Sequence, residues 1–327
     1  MKWGIQRSML LDRMAAMPII GGQIGKHYDE CLRLKYSLNY RLLRNPASRR
    51  AFDGSVVNLN AIQRRLVEDL LTTGLATCHF SDLFGNDHLW SSLCEEISQF
   101  TARRDIKAAI ESRQEGFTQS RDLGKVEHYI LFKYPQDRCP VITADEVLLR
   151  LHLNSMILDV ANSYLGLWSK LIYFDMWYTV PLDTETRFLS QRWHRDPEDR
   201  RKIRTFLYFS TVSSSSGAME YMKGSHVGGP YEHVFPWKDP LTTPYPPDGE
   251  VERLIPESQH VFLEGPPGTL IFCDTAGFHR GGISRAVPRI LATSAFVTPA
   301  SLHGRRYDID DSVRASSLGP AARFAVS

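Results

Sequence analysis

Hydrophobic residues in the first half of the chain follow helical spacing. In residues 24–44 apolar positions recur every three or four residues, which predicts an amphipathic helix that ends before Asn45-Pro46. A second helix is predicted between the N-cap Asn60 and Gly74, and the run LATCHF that follows Gly74 is strand-like. The same periodicity predicts helices over 89–113 and 144–167.

The second half of the chain changes to short runs rich in aromatic and β-branched residues. These predicted strands cover 171–180, 205–212, 260–265, 269–275 and 289–297. The turn sequences SSSSG, KGSH, PPDG and GPPG separate them. The spacing predicts a mainly β fold, an antiparallel barrel or jelly roll with a helical layer packed outside it.

The chain divides into three predicted parts. Residues 1–58 form a basic, helical N-terminal extension, residues 59–305 the β domain with its packed helices, and residues 306–327 a C-terminal tail. Within the domain, residues 227–258 are rich in Pro and aromatic residues and show no clear period. A loop of this length in a compact domain is usually functional or disordered. Its aromatic residues favour a lid that closes over a site, and a flexible insert is the alternative.

Charge is distributed unevenly along the chain. Residues 1–50 hold 10 Lys/Arg against 3 Asp/Glu, whereas the rest holds 29 against 34. We interpret the basic segment as a solvated helical face, with an anionic partner such as a membrane surface or a carrier protein as the alternative. No nucleic-acid-binding signature is present, so we do not expect nucleic acid as a partner.

The cysteines and the N-terminal sequence bear on the compartment. Five cysteines without a CxxC pair argue against a disulfide framework and for a reducing environment. Asp12 and Arg13 interrupt the N-terminal apolar stretch, and no run reaches the ~18–20 apolar residues of a membrane span. We therefore expect a cytoplasmic protein.

The sequence QRWHRDPEDR at 191–200 carries the first candidate chemistry. On an extended strand, residues two apart project to the same side, so His194 and Asp196 would point together. His279 follows 85 positions later, and two imidazoles with one carboxylate form the facial triad of non-haem Fe(II) enzymes. A His-x-Asp pair by itself is common by chance, and a surface pair is its ordinary interpretation.

Arg289 strengthens the metal-site hypothesis. It opens the strand-like run RILATSAF, ten residues beyond His279. A guanidinium inside a barrel needs an anionic partner, and the far carboxylate of 2-oxoglutarate would supply one through a bidentate bond. Arg285 is the competing candidate, but it lies in the loop SRAVP, where we expect it to be solvated.

Residues of about 60–300 resemble the phytanoyl-CoA dioxygenase-like family of Fe(II)/2-oxoglutarate-dependent oxygenases. The resembling segments are, in order, TTGLATCHFSDLF, QRWHRDPED, GAMEYMKGSHVGG, GTLIFCDTAGFHRGG and PRILATSAF. The resemblance implies a double-stranded β-helix (cupin-like) fold, iron held by His194, Asp196 and His279, and 2-oxoglutarate held by Arg289. It also places Met176 and Lys133 near the co-substrate.

Three departures from the family pattern concern contacts around the metal. Lys223 stands where family members often have Pro before Gly-Ser-His, and Gly281 stands where many have Ser. No Trp follows the HxD segment before Trp237. These changes affect the expected secondary contacts to the co-substrate and leave the three metal ligands in place.

The other histidines are predicted to be structural. His226 in KGSHVGG has the setting of a turn residue that anchors a strand end. His260, His152 and His128 have no metal-ligating neighbours in the sequence, so we expect them in the core or on the surface.

The implied activity is oxygen-dependent hydroxylation of an unactivated C–H in a small-molecule, lipid or carrier-bound substrate, with Fe(II), 2-oxoglutarate and O₂ as cofactors. Arg200 and Arg204 are candidates for an anionic group of the substrate, and Trp237 for a lid contact; a solvated loop is the alternative for the two arginines. Asp196 disfavours halogenation, because related halogenases have a small residue there. Two other classes remain: a 2-oxoglutarate-independent jelly-roll metalloprotein, and a non-catalytic sensing module.

Overall fold

Antiparallel sheets and a layer of helices make up the fold. The structure, a computed structural model, describes residues 21–85, 88–120, 128–132, 139–182, 184–243 and 245–327. The helices are α1 Gly21–Arg41, α2 Arg44–Asp53, α3 Ala61–Thr73, α4 Phe80–Phe84, α5 His88–Ala102, α6 Arg104–Ser120, α7 Val147–Leu153, α8 Ser155–Leu165, α9 Glu250–Leu254, α10 Asp311–Ala315 and α11 Pro320–Val326. The strands are β1 Leu75–His79, β2 Tyr129–Leu131, β3 Val141–Ile142, β4 Lys170–Thr179, β5 Lys202–Tyr208, β6 Met219–Met222, β7 His260–Leu263, β8 Thr269–Cys273, β9 His279–Arg280, β10 Arg289–Val297 and β11 Asp308–Ile309.

Capping residues decide where the helices begin and end. The prediction for α3 is confirmed: the Asn60 side chain accepts from the Gln63 N–H, and Gly74 closes the helix with a φ of 78°. The predicted helix over 144–167 is instead two helices, because the Asn154 side chain caps the Met156 N–H and starts α8. The predicted helix over 89–113 likewise divides into α5 and α6. Pro46 lies in the first turn of α2, a position that tolerates proline, so α1 ends earlier than predicted.

Six strands form the main sheet in the order β1-β8-β5-β10-β4-β2, with every pair antiparallel. A second sheet has the order β7-β6-β9, and β3 pairs with β11 in parallel. This arrangement confirms antiparallel sheets with packed helices. Strand β6 was not among the predicted strands. Strand β5 begins at Lys202 instead of 205, because Lys202 and Arg204 are buried although their charge is typical of a loop.

Side-chain alternation along the main sheet creates two cores. In β8, Leu270 and Phe272 pack against the helices, whereas Ile271 and Cys273 face the three-stranded sheet. In β5, Ile203 and Leu207 take the helix side. The two sheets therefore enclose a second core that is separate from the helix-side core.

Both ends of the described chain pack on this framework. In the N-terminal extension the Tyr36 hydroxyl donates to Asp199 at 2.6 Å, and Asn45 accepts from the Ala300 N–H at 3.0 Å. The predicted tail contributes Ala325 and Val326 to the helix-side core. Part of the 306–327 segment thus packs against the domain.

Two sequence expectations about the whole chain can be compared with the structure. All five cysteines lie in described segments, and no two of them form a disulfide in the structure. Within the described residues, no helix has both the length and the apolar character that crossing a bilayer requires.

Leu70→Ala tests the packing of α3 on the sheet. Leu70 is fully buried in the helix-side core, so the substitution should lower the free energy of unfolding by about 2–5 kcal/mol. Leu71→Ala is the matched control, since Leu71 is 51% exposed and should change stability by less than about 0.5 kcal/mol. Urea denaturation followed by circular dichroism measures both, and equal losses would contradict this packing.

Candidate metal centre and its cavity

The structure brings the three predicted metal-ligating side chains together. One potential ligand atom from each of His194, Asp196 and His279 lies within 4.8 Å of the others. The His194 Nε2 is 3.6 Å from Asp196 Oδ1, and the His279 Nε2 is 3.7 Å from Asp196 Oδ2. The two imidazole centroids are 4.2 Å apart. All three groups are within reach of one small cation.

Backbone pairing between remote segments produces this geometry. His194 and His279 form an antiparallel bridge, with N–H to carbonyl distances of 3.1 and 3.2 Å in the two directions. The Asp196 N–H continues the pairing by donating to the Thr275 carbonyl at 2.9 Å. The predicted same-side projection of residues 194 and 196 thus arises in an extended segment that pairs with the start of β9.

Hydrogen bonds also fix the orientation of both imidazoles. The Nδ1 of His194 lies 2.8 Å from the Arg192 carbonyl, and that of His279 lies 3.1 Å from the Gly277 carbonyl. A carbonyl only accepts, so each Nδ1 carries a proton, which leaves Nε2 as the nitrogen that can bind a metal. This is the tautomer that a metal-ligating histidine requires.

The surrounding charges favour the ligating protonation states. Burial would raise the pKa of Asp196, but Lys202 and Arg204 outweigh burial and hold it well below its ordinary value. Burial, assisted by the neighbouring His194, lowers the pKa of His279 to about 3. Near neutral pH the centre therefore combines an ionised carboxylate with a neutral His279.

The centre opens onto a cavity of about 1140 Å³, and Arg289 lines the same cavity. Arg289 is 7% exposed, and its guanidinium donates through one Nη to the Gly217 carbonyl and leaves Nε without a hydrogen-bond partner among the described residues. No carboxylate of the described residues forms an ion pair with it. Burial lowers the pKa of Arg289, and a buried cation of this kind is costly without an anion.

Thr179 lies directly beside Arg289, because the two residues pair across β4 and β10. Its Oγ1 is buried, and it too has no hydrogen-bond partner in the described part of the chain. Both residues line the cavity, so two donors converge on one of its walls. The sequence did not single out Thr179, although its position opposite the predicted arginine follows once the strand pairing is known.

The two other predicted co-substrate residues have different outcomes. Met176 is 1% exposed and packs in the helix-side core, so the structure corrects its assignment. The reason is alternation: Trp177 and Thr179 face the cavity, and Met176 faces the opposite side of β4. Lys133 lies outside the described residues.

Part of the 227–258 segment, the predicted lid, lines the cavity. Pro240, Leu241, Thr243 and Tyr245 line it, and the Tyr245 ring stacks on His194 at a centroid distance of 5.7 Å. The segment contains α9, so it is less irregular than predicted.

The candidate substrate residues take three different positions. Arg200 is exposed, pairs with Glu232 at 3.2 Å, and is not part of the cavity lining. Trp237 packs against Tyr36 of α1 at 5.7 Å, also away from the lining. Arg204 does reach the cavity, but its guanidinium contacts Asp196 and Glu198 within the protein. None of the three is therefore a free anion-binding group in the cavity.

The other histidines and Arg285 can be placed in the structure. His226 lies 3.3 Å from the Leu71 carbonyl, and Arg285 pairs with Glu185 and is half-exposed. His152 is fully buried, and His260 contacts Glu220 at 2.8 Å. His128, expected in the core or on the surface, instead lines the cavity, and burial together with Arg289 lowers its pKa to about 4.

Arg195 is a structural residue that the sequence reading missed. Lying between His194 and Asp196, it projects to the opposite side and donates to four backbone carbonyls at 2.5–3.0 Å. Two of those carbonyls belong to Val234 and Phe235 of the lid segment. Arg195 thereby ties residues 234–235 to the segment that carries two of the candidate metal ligands.

No known protein family and no curated protein matches this sequence. Among solved structures, EctD from S. alaskensis with 2-oxoglutarate and 5-hydroxyectoine is similar over 82% of this chain and 89% of that chain, with 16% identity and a TM-score of 0.50. EvdO2 from Micromonospora carbonacea var. aurantiaca, complexed with 2-oxoglutarate, is similar over 75% and 93%, with 15% identity and a TM-score of 0.43. The epimerase SnoN, in complex with Fe³⁺, alpha ketoglutarate and nogalamycin RO, reaches 73% and 84%, with 14% identity and a TM-score of 0.43. The similarity to EctD shows that this chain shares the fold of that protein.

Arg195→Met tests the link between the lid and the metal centre. The substitution leaves four buried carbonyls without their donor, and each such loss costs about 1–3 kcal/mol. Amide hydrogen exchange in residues 223–243 should accelerate by roughly tenfold or more, which corresponds to about 1.4 kcal/mol. Arg253→Met, at an exposed arginine, should leave exchange unchanged. Equal exchange in both variants would contradict the link.

Proposed function

We propose that this protein is an Fe(II)/2-oxoglutarate-dependent oxygenase that hydroxylates an unactivated C–H bond. The observation that carries the proposal is the placement of Arg289, a buried cation without a carboxylate partner among the described residues, in one cavity with the His194–Asp196–His279 cluster. The buried arginine alone, or the His–Asp–His cluster alone, would not indicate a co-substrate. Together they fit a dianionic co-substrate bound between a metal and a guanidinium.

The residues present suit iron. His194 and His279 would supply neutral imidazole nitrogens and Asp196 an ionised oxygen, and all three are directed inward from a scaffold of paired strands. Two nitrogens and one carboxylate on one side of a metal leave positions free for co-substrate and oxygen, which is the donor set of non-haem Fe(II) oxygenases.

The wall formed by Arg289 and Thr179 suits the far carboxylate of 2-oxoglutarate. A guanidinium and a hydroxyl, both with unused donor capacity, would satisfy a carboxylate by charge-assisted hydrogen bonds. Thr179 would then supply the hydroxyl contact that Gly281 cannot make, which answers the departure seen in the sequence. The expected double-stranded β-helix fold would place this wall inside the barrel.

When bound, iron and 2-oxoglutarate would supply oxygen activation, with release of succinate and CO₂. The protein's own residues bind, orient and shield. Arg289 and Thr179 would hold the co-substrate, and Tyr245 and its neighbours in the lid would keep bulk water from the metal-facing side.

The size of the cavity bears on the class of substrate. A cavity of about 1140 Å³ holds both the co-substrate and a second organic molecule, which agrees with a small-molecule substrate or the reactive end of a lipid or carrier-bound one. Asp196 fills the position that a halide needs in related halogenases, which favours hydroxylation, while desaturation and ring closure would use the same ligands. An anionic partner for the basic extension and a cytoplasmic location stay predictions.

Arg289→Ala tests the co-substrate assignment. Loss of a charge-assisted carboxylate contact of about 1.5–3 kcal/mol should raise the KM for 2-oxoglutarate by roughly 10–100-fold. The measurement is O₂-dependent formation of succinate by anaerobically iron-loaded protein, with and without a panel of metabolites. Arg285→Ala, at a half-exposed arginine outside the cavity lining, is the control and should leave the KM unchanged.

Two results would replace the proposal with a named alternative. Unchanged activity in Arg289→Ala would favour a metalloprotein that does not use 2-oxoglutarate. Iron binding without any turnover of 2-oxoglutarate, coupled or uncoupled, would favour a sensing module.

A further inference from the structure

Asp196 belongs to a buried cluster of four charged residues, two acidic and two basic. Arg204 Nε lies 3.0 Å and Lys202 Nζ 3.6 Å from the same oxygen, Asp196 Oδ2. Glu198 contacts both cations, at 3.1 Å from Arg204 Nη2 and in a close pair with Lys202. Lys202, Arg204 and Glu198 are each at most 6% exposed.

Alternation along β5 explains how the cations reach this position. Lys202 and Arg204 are two residues apart, so they project to the same side of the sheet as Phe206 and Tyr208. That side is the interior between the two sheets, where the metal centre lies. Lys202 and Arg204 are buried there, so they do not contribute to the solubility of the protein.

We propose that Lys202 and Arg204 are positioning residues that hold the carboxylate of Asp196 in its metal-ligating orientation, and that Glu198 neutralises their excess charge so that a divalent cation can bind. This inference rests on the proposed function. Both cations contact Oδ2, the oxygen that also lies 3.7 Å from the His279 Nε2, whereas Oδ1 lies 3.6 Å from the His194 Nε2. Both cations therefore draw the same end of the carboxylate toward the start of β5.

Stability alone is a weak explanation for this cluster. Burying four charges incurs desolvation penalties that ion pairing offsets only in part, and apolar replacements of similar volume are often neutral or stabilising. Partners that orient a metal-ligating carboxylate, by contrast, typically change metal affinity 10–100-fold when they are removed. The location of the cluster at Asp196 agrees with the second role.

Positioning and simple electrostatics predict opposite signs for one substitution. The two carboxylates and two cations sum to zero formal charge. Arg204→Gln makes the surroundings more negative by one charge, so a purely electrostatic role predicts tighter binding of a dication. A positioning role predicts weaker binding, because Asp196 loses the contact that orients it.

Co(II) binding to the purified apoprotein is the direct test. Affinity is measured by calorimetry, and ligand geometry by the Co(II) visible absorption bands, with no need for turnover. Arg204→Gln should weaken Co(II) binding by roughly 10–100-fold and alter the absorption bands, and Arg204→Lys should recover part of both. Glu198→Gln should also weaken binding, since it leaves an unbalanced positive charge beside the metal. Arg314→Gln, at an exposed arginine paired with Asp311, is the control and should match the wild type.

A paired variant keeps the test available if Arg204→Gln fails to fold. Glu198→Gln combined with Lys202→Met removes one carboxylate and one cation and leaves the cluster neutral, with Arg204 still on Asp196. This variant should bind Co(II) less tightly than the wild type but more tightly than Glu198→Gln alone. Unfolding temperatures measured in parallel separate metal effects from loss of fold.

Each outcome decides between two claims. Wild-type or tighter Co(II) affinity in folded Arg204→Gln, or unchanged affinity in the paired variant, would overturn the positioning role and leave the proposed function standing. A wild-type protein that binds no Co(II) would overturn both.

Discussion

The structure depends on one short piece of backbone pairing. His194 and His279 exchange two hydrogen bonds, and the Asp196 N–H adds a third to Thr275. This pairing joins segments that are 85 positions apart and sets which side each residue faces. A slip of one residue would turn His279 to the opposite side and separate it from Asp196, because side chains alternate along an extended chain.

The charges around this pairing are arranged in two unlike ways. On one side, the two cations Lys202 and Arg204 are balanced within the protein by the two carboxylates of Asp196 and Glu198. At Arg289, no carboxylate of the described residues balances the charge, and the neighbouring Thr179 hydroxyl also lacks a described partner. An unbalanced buried cation is costly, and under the proposed function the far carboxylate of 2-oxoglutarate would balance it. Metal and co-substrate chemistry would then meet in one cavity, under a lid that Arg195 fastens.

Some residues of the cavity can be recognised from the sequence alone, whereas others require the strand register. His194, Asp196, His279 and Arg289 combine polar chemistry with strand-like surroundings, and that combination is visible in a single sequence. Met176 was misplaced because an assignment one residue off in a strand selects the wrong face, and only the register with β10 shows that Thr179 is the residue facing the cavity.

Other features depended on contacts between distant segments. Strand β5 begins at Lys202, but two cations at its start look like a solvated loop until their partners Asp196 and Glu198 are in place. Residues 306–327 have no distinctive pattern, yet Ala325 and Val326 fill the helix-side core. Strand β6 is only four residues long, and it is fixed by its pairing with β7 and β9 more than by its own sequence.

The most direct test of the shared cavity is an anaerobic titration of the Fe(II)-loaded protein with 2-oxoglutarate, followed by visible absorption. Chelation of Fe(II) by a 2-oxo acid produces a charge-transfer band. The account predicts that this band appears and saturates at one equivalent of 2-oxoglutarate in the wild type, and that it is lost in Asp196→Ala and needs far more 2-oxoglutarate in Arg289→Ala. A protein that binds no iron, or that binds iron without developing the band at any concentration of 2-oxoglutarate, would contradict it.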